Sequence, residues 1–164
     1  MDLLDRLLGH DTWTTQLLLA RCRELSDAQL DQPFDIGNGT LRSTLVHTIG
    51  NIETWTRLMA GEPSADRERD TSVEGLIARH ERAASDFAAL ARRIADEGRL
   101  DDLWLDTLDN PPQAKTYGGA IAHVILHDMH HRAEVLHILA RLGLRDLPEG
   151  DLLSWEQAMR EQHR

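Results

Sequence analysis

The chain has 164 residues, 41% of them hydrophobic and 28% charged, a length and composition that suit one packed domain rather than a disordered tail. Twenty-eight acidic residues against eighteen basic ones leave a net charge of −10. That balance excludes a nucleic-acid surface built on phosphate neutralisation. A lone cysteine, Cys22, excludes an internal disulfide framework and fits a reducing, cytoplasmic setting. The longest apolar runs are only a few residues, so no membrane span is expected. Met1 leads straight into Asp2-Leu3-Leu4-Asp5 with no basic n-region, so no signal peptide is expected either.

Helical periodicity runs through nearly the whole chain. From Asp2 to Leu25, Leu4, Leu7, Leu8, Leu18, Cys22 and Leu25 recur at helix spacing, with Asp2 as the N-cap. Asp11 and Thr15 fall inside that apolar stripe and are expected to face inward. Ser26-Asp27-Ala28-Gln29 reads as a short helical turn, and Pro33 with Gly37-Asn38-Gly39 breaks the pattern. Thr40 caps a second long helix that runs to about Ala60, with Leu41, Leu45, Ile49, Ile52, Trp55 and Met59 as its buried stripe. Gly61 and Pro63 end it, and Ala65 to Asp70 reads as a charged surface loop. Thr71 with Glu74 is expected to form a capping box for a third helix, whose core positions are Val73, Ile77, Phe87, Leu90 and Ile94. Gly98 to Lys115 contains Asn110-Pro111-Pro112 and is expected to be irregular, with Trp104 pinning it to the body. The last long helix spans about Gly118 to Leu142 and stops at Gly143. Asp151 then caps a short terminal helix bearing Leu152, Leu153 and Trp155. Long helices with connections of mixed length predict an all-α fold, a four-helix bundle with a short C-terminal helix, in one domain over residues 1–164.

Histidine is unevenly spread: five of the nine lie between residues 123 and 137. His127 and His131 are four apart, so they share one helix face and can ligate one metal ion. His123 and His127 have the same spacing, and only angle separates the two pairs. At about 100° per residue, Ile121, Val124, Ile125, Asp128, Arg132, Val135, Leu139 and Leu142 mark the inward side. His131 lies within that arc and His127 at its edge, whereas His123, His130 and His137 share a row roughly opposite. His127 and His131 are therefore the expected inward pair. Such a pair also occurs on solvated helix faces, so the spacing is a motif that needs context. One helix supplies only two ligands, and the second helix offers His47 on the flank of its stripe. Three imidazoles would leave a zinc-like ion an open position, the arrangement of a catalytic site. Zinc or nickel is the expected occupant, with iron and manganese also compatible. Because ligation requires neutral imidazoles, metal affinity is expected to fall as pH drops through roughly 6.5.

The remaining polar residues read more plainly. His10, His80 and His163 are isolated and are expected at the surface. Asp128 and Arg132 are four apart and can pair with each other or with Asp11, as a structural ion pair. Glu53 and Glu134 are the other candidate acids, but by angle neither faces the cleft, so no general base is assigned. Trp13, Trp55, Trp104 and Trp155 read as packing anchors. Trp55, eight residues after His47, is also a candidate for the mouth of a pocket. Cys22 reads as a small buried hydrophobe.

Leu41-Arg42-Ser43-Thr44-Leu45-Val46-His47-Thr48-Ile49, followed by Trp55 and Gly61, resembles the second helix of the DinB/YfiT-like metalloprotein family. His123-Val124-Ile125-Leu126-His127-Asp128-Met129-His130-His131-Arg132 resembles that family's signature on the last bundle helix, and the resemblance extends over nearly the whole chain. One departure is Ala133-Glu134 in place of the family's common Gly-Gln after His-His-Arg. The resemblance implies an up-down-down-up bundle, often dimeric, with a divalent metal on His47, His127 and His131. It also implies a thiol-dependent chemistry, since family members include S-transferases and a mycothiol-dependent maleylpyruvate isomerase. The expected activity is a divalent-metal-dependent thiol S-transferase with a low-molecular-weight thiol and a small-molecule acceptor. A metal-dependent hydrolase and a non-catalytic metal- or ligand-binding bundle are the alternatives. No nucleic-acid or membrane partner is expected. A homodimer is, with the spare histidine row and Trp155 available for its interface.

Overall fold

The computed structural model describes residues 1–62 and 70–162. Pro63, residues 65–69 of the expected surface loop, and His163 lie outside the described residues. Four long helices carry the fold: α1 (Leu3–Cys22), α3 (Leu41–Ala60), α4 (Val73–Asp96) and α5 (Tyr117–Arg141). Two short ones, α2 (Asp27–Leu30) and α6 (Leu152–Gln162), flank them. Local chemistry sets most of the boundaries. Asp2 and Asp5 form a reciprocal capping box at α1, and Ser26 with Gln29 does the same for α2. Thr40 and Thr116 accept backbone N–H bonds at the starts of α3 and α5, and Asp151 accepts two at α6. Gly61, at φ 71°, takes the left-handed conformation that closes α3. α4 starts one residue later than expected. Asp70 accepts the Ser72 N–H at 2.8 Å, which turns the chain so that Ser72, not Thr71, caps Gly75. Glu74 closes no capping box there; it pairs with Arg23, the residue just past the end of α1, at 2.7 Å.

The segment expected to be irregular contains a hairpin. Strand β1 (Leu103–Asp106) pairs antiparallel with β2 (Gln113–Thr116), Trp104 opposite Lys115. Alternation puts Trp104 and Asp106 inward, where both are buried, and leaves Leu103 and Leu105 exposed. Trp104 does pin this segment to the helices, as its sequence position suggested. Backbone bonds from Tyr117 N to Asp102 O and Gly118 N to Leu100 O fasten the hairpin to the start of α5.

α1 packs against α4 and α5, and α3 packs against the same two, so the long helices enclose a shared core. Leu18, Leu19, Leu41, Ile49, Ile52, Leu76, Ile94, Ile138 and Leu139 are almost completely buried, each worth roughly 1.5–3 kcal/mol of transfer free energy. Cys22 is buried with them, and burial pushes its thiol up to about 12, as befits a packing residue. α6 lies on α1, with the Trp155 indole against Gly9; a Cβ at Gly9 would stand 2.5 Å from the ring. No helix among the described residues is long and apolar enough to cross a membrane.

The core also holds charge. Asp11 and Thr15 face inward as expected, and Arg132 of α5 donates to the Asp11 carboxylate. Asp128 sits in the same layer at 0% exposure. Among the described residues neither of its oxygens has a well-formed hydrogen bond, although the Asn51 amide lies beside it. Burial and the Asp11 carboxylate push the Asp128 carboxyl well above the usual range. Between the two open pairings for Arg132, the structure therefore takes Asp11.

Two histidines expected at the surface are buried instead. His10 is 8% exposed and its Nε2 lies 2.8 Å from the Gly150 carbonyl, because the turn before α6 folds back over α1. His80 is fully buried, and neither ring nitrogen has a hydrogen-bond partner among the described residues. The reason is angular: Leu76, His80, Ala83 and Phe87 form the inward row of α4. Burial lowers the His80 pKa to about 4. An unfolded chain takes up that proton near pH 6.5, so between pH 6.5 and about 4 the unfolded state binds the extra proton. Stability is unaffected above that window and falls as pH drops through it, by roughly 3 kcal/mol at its lower end. Substituting His80→Leu is expected to remove this part of the acid sensitivity. Urea unfolding free energies from pH 7 to pH 4 would then fall less steeply by about that amount. An unchanged slope would mean that the folded core accommodates the charge.

Candidate metal centre

His47 projects from α3 between two buried threonines, Thr44 and Thr48, whose hydroxyls bond back to their own helix at 2.8 and 2.9 Å. The imidazole is thus carried to the flank of the stripe, at the seam with α5. Across that seam His127 is half-buried and His131 is buried. His47 Nε2 lies 3.4 Å from His127 Nε2, and His127 Nε2 lies 3.3 Å from His131 Nε2. The three residues offer ligand atoms that all fall within 4.8 Å of one another.

These separations fit a metal. Two nitrogens each about 2.0–2.1 Å from one ion, at a tetrahedral angle, stand about 3.4 Å apart. Burial also bears on the protonation of two of the donors. Burial, with the neighbouring imidazoles, pushes the pKa of His47 down, and burial does the same to His127. Both therefore favour the neutral ring that ligation requires. The three histidines can hold a divalent ion and leave a coordination position for a further ligand.

Glu134 belongs to this centre, although the angular reading placed it away from the cleft. It follows His131 by three residues, and its Oε2 accepts from His131 Nδ1 at 2.6 Å. The α5 turn brings the carboxylate back over the ring. The bond places the His131 proton on Nδ1, which leaves the Nε2 lone pair facing the other two imidazoles. The i, i+3 spacing of a carboxylate after a candidate ligand was the available signal. Outer partners of this kind typically contribute 10–100-fold to metal affinity. Glu134→Gln, which keeps a hydrogen-bond acceptor, is expected to weaken zinc binding by about tenfold, and Glu134→Ala by up to about 100-fold. Competition against a chromophoric chelator measures both. Equal affinities in all three proteins would remove Glu134 from the centre.

The other candidates divide. His123 is exposed but not opposite the centre; its ring lies 5.6 Å from that of His127 and 5.0 Å from that of Trp55. Its i−4 relation to His127 puts it on the same seam, one turn nearer the hairpin. His130 is exposed, with Nε2 3.3 Å from Glu134, and His137 is exposed as expected. Glu53 pairs with Arg79 of α4 at 3.2 Å. Trp55 meets Trp104 edge to face at 6.0 Å and lines a cavity beside His123, as its position after His47 suggested.

The family model for the DinB family matches residues 1–161, and the chain belongs to that family. No curated protein matches the chain.

Proposed function

We propose that this protein is a divalent-metal-dependent transferase that moves a low-molecular-weight thiol onto a small electrophilic acceptor, with the metal on His47, His127 and His131. The convergence of three imidazole nitrogens at 3.3–3.4 Å spacings carries the reading. Zinc or nickel is the favoured ion, with iron or manganese compatible with the same donors. Such an ion, when bound, lowers the pKa of a coordinated thiol enough to make it a thiolate at neutral pH. The chain's own residues do the rest. His47 holds the centre from α3, His127 and His131 hold it from α5, and Glu134 fixes the His131 ring. Cys22, buried and with its thiol pushed up to about 12, is not the nucleophile, so the reacting sulfur arrives with a substrate.

In this reading residues 1–164 form one domain, an up-down-down-up four-helix bundle that works as a cytoplasmic homodimer. The mostly helical fold and the shared core of the four long helices support the bundle. Metal-assisted hydrolysis is the lesser reading, since the Glu134 carboxylate beside the centre is engaged with His131 rather than free to take a proton from water. The test offers the zinc- or nickel-loaded protein bacillithiol, mycothiol, glutathione and coenzyme A, each with an electrophilic acceptor. Thiol consumption above a His127→Ala control supports the proposal. Metal uptake without turnover on any thiol or ester would instead assign a non-catalytic metal-binding role.

A further inference from the structure

The seam that carries the histidines continues past them toward the hairpin, where it opens into a cavity of about 400 Å³. That volume lies within the range of small-molecule sites. Its walls are the Trp55 ring from α3, the His123 ring from α5 and the side chain of Lys115 from β2. Its floor is the first turns of α5, where Gly119 and Ala120 leave the space open. Rings link it to the metal centre: Trp104 meets Trp55, Trp55 meets His123 at 5.0 Å, and His123 meets His127 at 5.6 Å. A molecule in the cavity is therefore one imidazole away from a candidate ligand.

Charge decides what kind of molecule fits. Lys115 is the cation at the rim, with its Nζ 5.2 Å from the centre of the Trp55 ring. It is already committed, to the buried Asp106 carboxylate and to Asp109 at 3.0 Å. Two carboxylates on one ammonium leave the rim net negative, which opposes an anionic guest, and the ammonium over the Trp55 ring already fills the place on that face that a cationic guest would take. Flat aromatic walls instead favour the edge or face of another ring. We propose that this cavity binds an uncharged aromatic or unsaturated ring of an organic co-substrate and holds it beside His127. The inference rests on the proposed metal centre only for what the ring is presented to; the binding itself belongs to the cavity.

Nuclear magnetic resonance on the metal-free protein tests this, with benzyl alcohol, benzoate and benzylamine as matched probes. Benzyl alcohol is expected to shift the Trp55 indole N–H, Gly119 and His123 resonances saturably, with a Kd on the order of millimolar, as suits a fragment of this size. Benzoate and benzylamine are expected to bind at least about tenfold more weakly. His123→Ala and Trp55→Leu are each expected to weaken benzyl alcohol by about three- to tenfold, the range for loss of one ring contact. His123 is exposed, so its variant folds even if the Trp55 variant does not. Shifts that do not saturate, that centre elsewhere, or that persist unchanged in His123→Ala would overturn the proposal, as would benzoate binding as tightly as the alcohol. Zinc uptake by the same sample is measured separately. Ring binding without zinc uptake supports the cavity and removes the metal reading; zinc uptake without ring binding does the reverse.

Discussion

Arg132→Met is expected to cost about 3–5 kcal/mol or to leave no folded protein, the largest stability effect of any single change considered for this chain. Arg132 is 5% exposed and donates to Asp11, itself 3% exposed, with the buried Asp128 in the same layer. Removing the guanidinium leaves a buried carboxylate with no compensating charge, and the cost is that of the uncompensated group more than of the lost attraction. The double variant Asp11→Leu/Arg132→Met removes both charges and is expected to recover most of the loss. Urea unfolding of the two single variants and the double closes the cycle. A double variant that loses as much as the two single variants together would show that the pair is not energetically coupled.

The second large effect is on metal content. His131→Ala is expected to lower zinc affinity by more than about 100-fold, beyond the range of an outer partner such as Glu134. His47→Ala and His127→Ala are expected to behave alike, and the triple variant to purify with no metal above background. Elemental analysis set beside unfolding curves separates metal loss from misfolding. His47 and His127 are exposed or half-buried, so their variants keep the core intact. Unchanged metal content in the triple variant would mean that the ion is held elsewhere.

Much of this centre was legible because ligands on helices obey the same geometry as core residues. His127 and His131 stand out by their i, i+4 spacing at the edge of an apolar arc. His47 stands out as the histidine on the facing helix. The helix starts were legible for a similar reason: Asp2, Thr40 and Asp151 cap through short side chains acting over three residues. Errors came where the pattern depended on neighbours in space. On α4 the expected stripe already passed through His80, three residues after Ile77 and seven after Val73, but the residue was read as an isolated histidine and not placed by its angle, so its burial was missed. His123 was grouped with His130 and His137 by heptad spacing, yet Trp55 across the seam draws it toward the centre. Glu134 was misplaced because a long side chain reaches a neighbouring turn whatever the angle of its Cα. The hairpin was missed because each strand has only four residues, too few for alternation to register.

That hairpin divides labour within the molecule. The histidines sit on α3 and α5, the helices that also build the core, so their placement is inherited from the stability of the whole fold. The cavity beside them takes one of its walls from β2, and the outer face of the hairpin is open to solvent, with Leu103 and Leu105 of β1 and Leu108 of the loop exposed. Changes at Lys115 or Thr116 of β2 can therefore reshape the cavity while the candidate donor nitrogens stay where they are. The candidate ligands and this cavity wall are thus encoded on separable stretches of chain, so one can change in sequence without moving the other.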